Sequence, residues 1–195
     1  MKAMRKITTA LLSLVLFAGL TRASHADMLY GVDISTDELL TIDPGTGAAT
    51  VVGSLNSPLA IVSALAFDGS GTLFGADIFS NELLTIDTNT GNATSVGPFG
   101  AGLLQVRGLA FDLNSSTLFG VDISTDELLT IDTNTGAATV VGALGFNDVR
   151  GLAFDGTGTL FGVDRISDQL ITINTSTGAA TAVGPLVIRD EVRAL

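Results

Sequence analysis

The sequence contains no cysteine and no tryptophan, and its 195 residues include one histidine and one tyrosine. Without cysteine, a disulfide framework and cysteine nucleophiles are excluded, so packing and hydrogen bonds must hold the fold. The histidine is His25, and the two lysines are Lys2 and Lys6. Beyond residue 26, the chain therefore lacks the side chains for a histidine-dependent triad or a lysine Schiff base.

The first 26 residues have the three parts of an export signal. A basic start precedes an apolar run at residues 10–20, and small residues follow at 24–26. The run has about half the length that a membrane-spanning helix needs. We therefore predict a signal peptide over residues 1–26 and a secreted or periplasmic chain, without a membrane span, that begins at Asp27. An uncleaved amphipathic segment is the alternative.

Basic residues are scarce in the remaining chain, which has five arginines against 20 acidic residues and a net charge of −15. Such a surface repels phosphate backbones, so we expect neither nucleic acid nor an anionic membrane as a partner. An extracellular protein or a polysaccharide is the partner class that this charge leaves open.

A unit of about 44 residues occurs four times, starting near residues 29, 72, 117 and 159. One glycine in each unit marks the spacing: Gly31, Gly75, Gly120 and Gly162. Periods in the low forties are typical of repeat arrays. We therefore treat residues 27–195 as one repeat domain.

Each unit reads as four short strands. In the third unit these are RGLAFD (107–112), TLFGVD (117–122), LLTID (128–132) and ATVVG (138–142), with turns rich in Gly, Asn and Thr between them. The strands are apolar on both faces, so each small sheet needs cover on both sides. Sheets packed around an axis supply that cover, which predicts an all-β propeller of four four-stranded repeats. A linear β array is the alternative.

The repeat also resembles a known kind of protein. The segments RGLAFDGTGTLFGVD (150–164) and LLTIDTNTGAATVVG (128–142) resemble repeats of bacterial secreted β-propeller proteins and, more distantly, YVTN and NHL repeats. The resemblance extends from Leu29 to the C-terminus and implies the propeller fold. It implies no activity, because propellers carry many functions.

Two interpretations of the ring remain open. The segment DEVRAL at the C-terminus resembles NDVRGL at 147–152. In one interpretation, residues 192–195 supply the innermost strand of the first blade and close a four-bladed ring, with Arg193 facing Asp33. In the other, the sequence is an incomplete piece of a larger propeller.

Three arginines occupy one position of the repeat and are candidates for binding a carboxylate or sulfate: Arg107, Arg150 and Arg193. The alternative is a structural role, because simple hairpin pairing places Arg107 opposite Asp122 and Arg150 opposite Asp164. The same count places Ser63 opposite Asp77. Opposite charges across paired strands contribute a few tenths to about 1 kcal/mol.

Four acids form a candidate calcium set: Asp33, Asp37, Asp122 and Asp126. They follow a D-x-S-x-D spacing, and calcium prefers several oxygen ligands. The segment lacks the glycine and the final glutamate of an EF-hand, and the alternative is a polar loop whose side chains bind backbone amides. Calcium is the one cofactor that the sequence suggests.

Positions that break the repeat are the best places for a ligand site, because one site needs one set of residues. They are residues 58–62, Phe79, 99–105, Phe146, Arg165 and 187–191. Phe99 and Phe146 are candidate contact residues, with capping of the core as the alternative. The sequence thus predicts an exported, non-catalytic binding scaffold. A calcium-dependent hydrolase or lyase using channel-mouth carboxylates is the competing interpretation.

Overall fold

The computed structural model describes residues 28–56, 61–103 and 105–186, and all regular elements in these ranges are β-strands. Blade 1 contains β1 (Leu29–Asp33), β2 (Glu38–Ile42) and β3 (Ala49–Ser54). Blade 2 contains β4 (Val62–Phe67), β5 (Leu73–Asp77), β6 (Glu82–Ile86) and β7 (Ala93–Pro98). Blade 3 contains β8 (Val106–Asp112), β9 (Thr117–Asp122), β10 (Glu127–Ile131) and β11 (Ala138–Ala143). Blade 4 contains β12 (Val149–Phe154), β13 (Leu160–Asp164), β14 (Gln169–Ile173) and β15 (Ala180–Pro185).

Each blade is an antiparallel meander whose strands pair in chain order. The innermost strands β4, β8 and β12 lie side by side, and β7, β11 and β15 form outer edges. Four such sheets packed face to face around an axis are the blades of a β-propeller, which confirms the predicted fold. No helix long and apolar enough to cross a membrane is found in the described part of the chain.

Blade 1 has three strands among the described residues, whereas the other blades have four. The strand expected to complete blade 1, at residues 192–195, lies outside the described ranges, as do the predicted signal peptide at 1–26 and Arg193. Ring closure through Arg193 and Asp33 therefore stays a prediction.

The core consists of three apolar layers, one between each pair of consecutive blades. We call the side of a blade that packs on the next blade its forward face, and the opposite side its rear face. Between blades 2 and 3, the forward face supplies Phe74 and Ala76, and the rear face supplies Val106, Leu118 and Leu129. Alternate residues of one strand thus enter different layers, which is why the strands are apolar on both faces.

A glycine pair joins each blade to the next at its outer edge. Gly142 of β11 lies against the turn of blade 4, where an added Cβ would be 2.2 Å from the carbonyl oxygen of Thr177. A Cβ on Gly178 of that turn would be 2.3 Å from the carbonyl oxygen of Gly142. The other two junctions have the same arrangement, with Gly53 against Gly91 and Gly97 against Gly136. Only glycine permits so close an approach of two backbones.

A backbone hydrogen bond accompanies each glycine pair. The amides of Ala93, Ala138 and Ala180 open the outer strands and donate to the blade before them, with N···O distances of 3.0 Å. The acceptors are the carbonyl oxygens of Leu55, Phe99 and Leu144, respectively. One blade junction, repeated three times, therefore combines an apolar layer, a glycine pair and a backbone bond.

Candidate functional site

The first residues of the inner strands contain a β-bulge. In blade 3, Val106 is opposite Asp122 and Gly108 is opposite Val121, so Arg107 is the extra residue. Blade 4 repeats this arrangement, with Val149 opposite Asp164 and Arg150 as the extra residue. In blade 2, Val62 rather than Ser63 is opposite Asp77. The predicted pairs of Arg107 with Asp122 and of Arg150 with Asp164 are therefore wrong, because a bulge changes the register by one residue.

The aspartates at the ends of the second strands bind their own loops instead. Asp77, Asp122 and Asp164 are buried. Asp122 Oδ1 accepts hydrogen bonds from the amide and the hydroxyl of Ser124, both at 2.6 Å. Asp164 Oδ2 accepts from the amide and the hydroxyl of Ser167. These carboxylates therefore close the loops after β9 and β13 and leave the arginines to find other partners.

The arginines gather around one carboxylate from a connecting loop. Arg150 Nε donates to Asp148 Oδ1 at 2.5 Å, and Arg165 Nε donates to Asp148 Oδ2 at 2.6 Å. Arg107 lies next to this pair and donates through Nη2 to Gln105 Oε1 at 3.3 Å. We call Arg107, Arg150, Arg165 and Asp148 the arginine cluster.

The cluster has more positive than negative charge. Burial lowers the pKa of Arg107, and the neighbouring guanidinium groups of Arg150 and Arg165 lower it further, while Asp148 opposes them. Burial opposes ionisation of Asp148, but hydrogen bonds from Arg150 and Arg165 outweigh it and lower the pKa of this carboxyl group. Three guanidinium groups therefore lie near the carboxylate of Asp148, which accepts hydrogen bonds from two of them.

One donor of the cluster is buried without an acceptor. Arg107 Nε has no hydrogen-bond partner among the described residues. An unpaired buried donor on a charged group costs on the order of 1–3 kcal/mol or more. The cluster remains open to solvent, because the side chain of Arg165 is 64% exposed. An oxyanion that enters the cluster would supply the missing acceptor and balance the charge.

Sequence reasoning identified Arg107 and Arg150 as candidates and placed Arg165 only among the repeat-breaking residues. The signal for Arg165 is the repeat itself, because isoleucine stands at the same position in the other units: Ile34, Ile78 and Ile123. Gln105 lay within the repeat-breaking residues 99–105, whereas Asp148, in another loop that differs between units, gave no signal. Their backbones occupy equivalent positions, since the carbonyl oxygen of each accepts from the residue after the second strand.

The candidate aromatic residues have different positions. Phe99 is 1% exposed and lies in the layer between blades 2 and 3, so its ring presents no surface to a ligand. Phe146 is half-buried against the layer between blades 3 and 4. Phe79 is 59% exposed. The capping interpretation accounts for Phe99, and Phe146 keeps a partly accessible ring.

Two of the four candidate calcium ligands, Asp33 and Asp122, accept hydrogen bonds from their own loops, whereas Asp37 Oδ1 has no hydrogen-bond partner among the described residues. Asp33 Oδ1 accepts from the amide of Ser35 at 2.8 Å and from its hydroxyl at 2.5 Å, and these bonds lower the pKa of Asp33. Asp126 Oδ1 accepts from the amide of Asp148 at 3.2 Å. Burial, followed by the charge of Asp77, raises the pKa of Asp37. No group of three or more acidic or histidine side chains suited to a metal occurs within residues 28–56, 61–103 and 105–186. The calcium prediction remains untested.

The aspartate or asparagine that precedes β2, β6, β10 and β14 recurs because of its backbone conformation. Asp37, Asn81, Asp126 and Asp168 occupy one position of the repeat and have positive φ angles between 51° and 61°. Aspartate and asparagine adopt this left-handed conformation more readily than other non-glycine residues. The recurrence of these residues thus follows from the loop conformation.

Solved structures of other proteins share this architecture. The chain is similar to streptogramin B lyase, with a TM-score of 0.60 and 14% identity over 86% of this chain and 54% of that one. It is similar to a catalytically inactive histidine-to-alanine variant of virginiamycin B lyase from Staphylococcus aureus with quinupristin, with a TM-score of 0.58 and 15% identity over 83% and 53%. It is also similar to a chain in a nidogen/laminin complex, with a TM-score of 0.63 and 19% identity over 82% and 61%.

These similarities define the class of protein as a β-propeller and, at such low identity, show the fold alone. The chain spans about half the length of the solved lyases that it resembles. No family model matches the sequence, and no curated protein matches it.

Proposed function

We propose that the chain is an exported, non-catalytic binding propeller whose arginine cluster holds an anionic group of an extracellular protein or polysaccharide. The observation that carries this proposal is the buried Nε of Arg107, which has no partner within residues 28–56, 61–103 and 105–186, next to two further guanidinium groups that share a single carboxylate. A site of this composition favours a carboxylate or sulfate group, which offers two or three oxygens to several N–H donors at once.

The position of the cluster supports binding from solvent. Arg107 and Arg150 begin neighbouring inner strands, and Arg165 lies in the loop after β13 at the same end of the blades. The connecting loops that differ between units end there as well. Binding residues are often placed on such loops above a rigid scaffold.

The charge of the whole chain restricts the ligand. Beyond residue 26 the net charge is −15, so a large polyanion is repelled at long range although the cluster attracts its groups at short range. A protein or polysaccharide with sparse acidic groups suits this balance better than a densely charged nucleic acid.

The similar structures include both a lyase and a protein in a complex with laminin, so the fold admits either role. The lyase similarity does not supply a catalytic residue here. One of those structures is an inactive variant in which a histidine is replaced, whereas the single histidine of this chain precedes the repeats. We therefore favour binding over catalysis.

Binding assays with polymers of known charge test the proposal. The probes are highly methyl-esterified pectin for sparse carboxylates, lightly sulfated cellulose for sulfates and dextran as the neutral control. We expect the anionic polymers to bind in a salt-dependent manner and dextran not to bind. Arg165→Ile, which introduces the residue of the other three units, should weaken binding by about 10- to 150-fold, because a charged hydrogen bond contributes about 1.5–3 kcal/mol.

Two controls separate binding from folding. Arg165 is exposed, so Arg165→Ile should keep the circular dichroism spectrum of the wild type. Asp112→Asn changes a charge at the opposite end of β8 from Arg107 and should leave affinity within about 2-fold, as expected for a single surface charge at a distance. Equal affinity of the wild type and Arg165→Ile, or equal binding of dextran and methyl-esterified pectin, would refute the proposal.

A further inference from the structure

Blades 4 and 1, at the two ends of the row of blades, each have one side of the blade junction without a described blade packed against it. The forward face of blade 4 is open: Val163 is 37% exposed, whereas Val121 and Ala76 at the same position of blades 3 and 2 are fully buried. Ala153 is exposed, although its counterpart Ala110 is 6% exposed. This face has the residue types that a neighbouring blade covers elsewhere, but no described residue covers it.

The rear face of blade 1 is also less buried than the rear face of blade 2. Leu29 and Leu40 are half-buried. Their counterparts in blade 2, Leu73 and Leu84, are 1% and 5% exposed. Blade 1 therefore presents the apolar surface with which each later blade packs on its predecessor.

The glycine pair is also divided between the two ends. Gly184 corresponds to Gly142, yet a Cβ on Gly184 would meet nothing within 4 Å. Gly47 corresponds to Gly178, and a Cβ there would likewise meet nothing. Gly47 is exposed, while Gly178 is buried. The two halves of a fourth junction are thus present in the chain but do not meet.

We propose that a second copy of this chain completes the array head to tail, with blade 4 of each copy packed on blade 1 of the other. The occupant is inferred from the three junctions within the chain, which show what covers these faces: a blade of the same repeat, held by an apolar layer, a glycine pair and a backbone bond. Two copies of four blades form an eight-bladed ring, which lies within the range of known propellers.

A head-to-tail contact between different surfaces closes into a ring when its rotation fits. The proposal is independent of the anion site.

The test is the mass of the purified protein, measured by light scattering and sedimentation over a range of concentrations. We expect the wild type to have the mass of two chains. Gly184→Ala should reduce the mass to that of one chain without changing the circular dichroism spectrum, because the Cβ has open space within a chain but would strike a partner backbone. Gly156→Ala is the matched control, since a Cβ there also meets nothing within 4 Å and lies away from the junction. It should remain a dimer.

A wild type with the mass of one chain, which includes a ring closed within the chain, would overturn the proposal. So would species larger than two chains, or a dimer that Gly184→Ala leaves intact. A second variant, Val163→Glu, keeps the test independent of glycine. It should abolish the dimer, while Val140→Glu on the exposed outer strand of blade 3 should not.

Discussion

The glycine pair between blades provides a direct test of how the propeller is held together. In Gly142→Ala, the new Cβ lies 2.2 Å from the carbonyl oxygen of Thr177, whereas ordinary contact begins near 3.4 Å. Blades 3 and 4 must therefore separate locally by about 1 Å, because the obstacle is backbone and cannot rotate away. Position 142 does not have a positive φ, so the substitution introduces a clash and not backbone strain.

The cost of this separation has two parts. Overpacking in a well-packed interior costs about 1–3 kcal/mol. The nearby hydrogen bond from the Ala180 amide to the Leu144 carbonyl is 3.0 Å long, and its weakening adds about 1 kcal/mol. We therefore expect a loss of about 3 kcal/mol in the free energy of unfolding. For a chain of this size, the loss corresponds to a Tm decrease of about 6–12 °C.

Thermal unfolding followed by circular dichroism measures the effect, with Gly156→Ala as the control. That glycine has open space and no positive φ. Alanine there should stabilise the protein by about 0.4–1 kcal/mol, because it restricts the unfolded chain. The two alanine variants should therefore shift Tm in opposite directions. A Gly142→Ala variant that melts at or above the wild-type temperature would refute the reasoning about the junction.

Three further predictions concern the loops. Hydrogen bonds from Arg150 and Arg165 lower the pKa of Asp148 despite its burial, so the ionised carboxylate stabilises the fold above its unfolded pKa of about 3.9. Asp148→Asn should lower the free energy of unfolding by about 1 kcal/mol at pH 7. The Tm difference from the wild type should vanish as the pH falls below about 4 and the carboxylate of the wild type is protonated. A Tm difference that grows in acid would contradict the pairing of Asp148 with the arginines. Asp168 has a φ of 51°, which glycine adopts more easily than alanine. In denaturant titrations, Asp168→Ala should therefore lower the free energy of unfolding by about 1 kcal/mol, whereas Asp168→Gly should not. Equal losses for the two variants would show that the backbone conformation is not the cause. Because Asp33 and Asp122 bind Ser35 and Ser124, we expect calcium and EDTA to give the same Tm. A higher Tm with calcium would contradict this expectation and support the calcium prediction.

The strands were predictable because their signal is local. The unit LLTID has apolar side chains for both faces, and the Asp-Thr-Asn-Thr-Gly turn after it is specified by its own residues. Asp132 Oδ1 accepts from the amides of Asn134 and Thr135 at 2.7 and 3.1 Å, as such a turn requires. The strands β8 to β11 accordingly begin and end within one residue of the predicted segments.

The register of the inner strands was not predictable by counting. The bulge at Arg107 and Arg150 is set by how the inner strand meets the second strand, and no residue type marks it. Pairing by simple counting therefore placed these arginines against Asp122 and Asp164. Their actual neighbour Asp148 comes from a loop between blades, so the arginine cluster depends on packing between distant parts of the chain.

The role of the repeated outer-strand glycines was also not predictable from the sequence. Gly53, Gly97, Gly142 and Gly184 recur in step along the sequence, which indicates a shared constraint. The repeat does not indicate which constraint, because the contact is made with the turn of the following blade. The sequence also gives no sign that Gly184 differs from the other three, since the difference lies in the absence of a following blade among the described residues.

Hydrogen exchange at three equivalent amides tests most directly whether the repeats pack as blades. The amides of Ala93, Ala138 and Ala180 each donate to a carbonyl of the preceding blade, so their protection depends on contact between blades and not on any single sheet. We expect all three to exchange as slowly as the central amides of β6, β10 and β14. If they exchange as fast as the exposed turn amide of Gly100 while the sheets remain protected, the blades do not pack on one another as described.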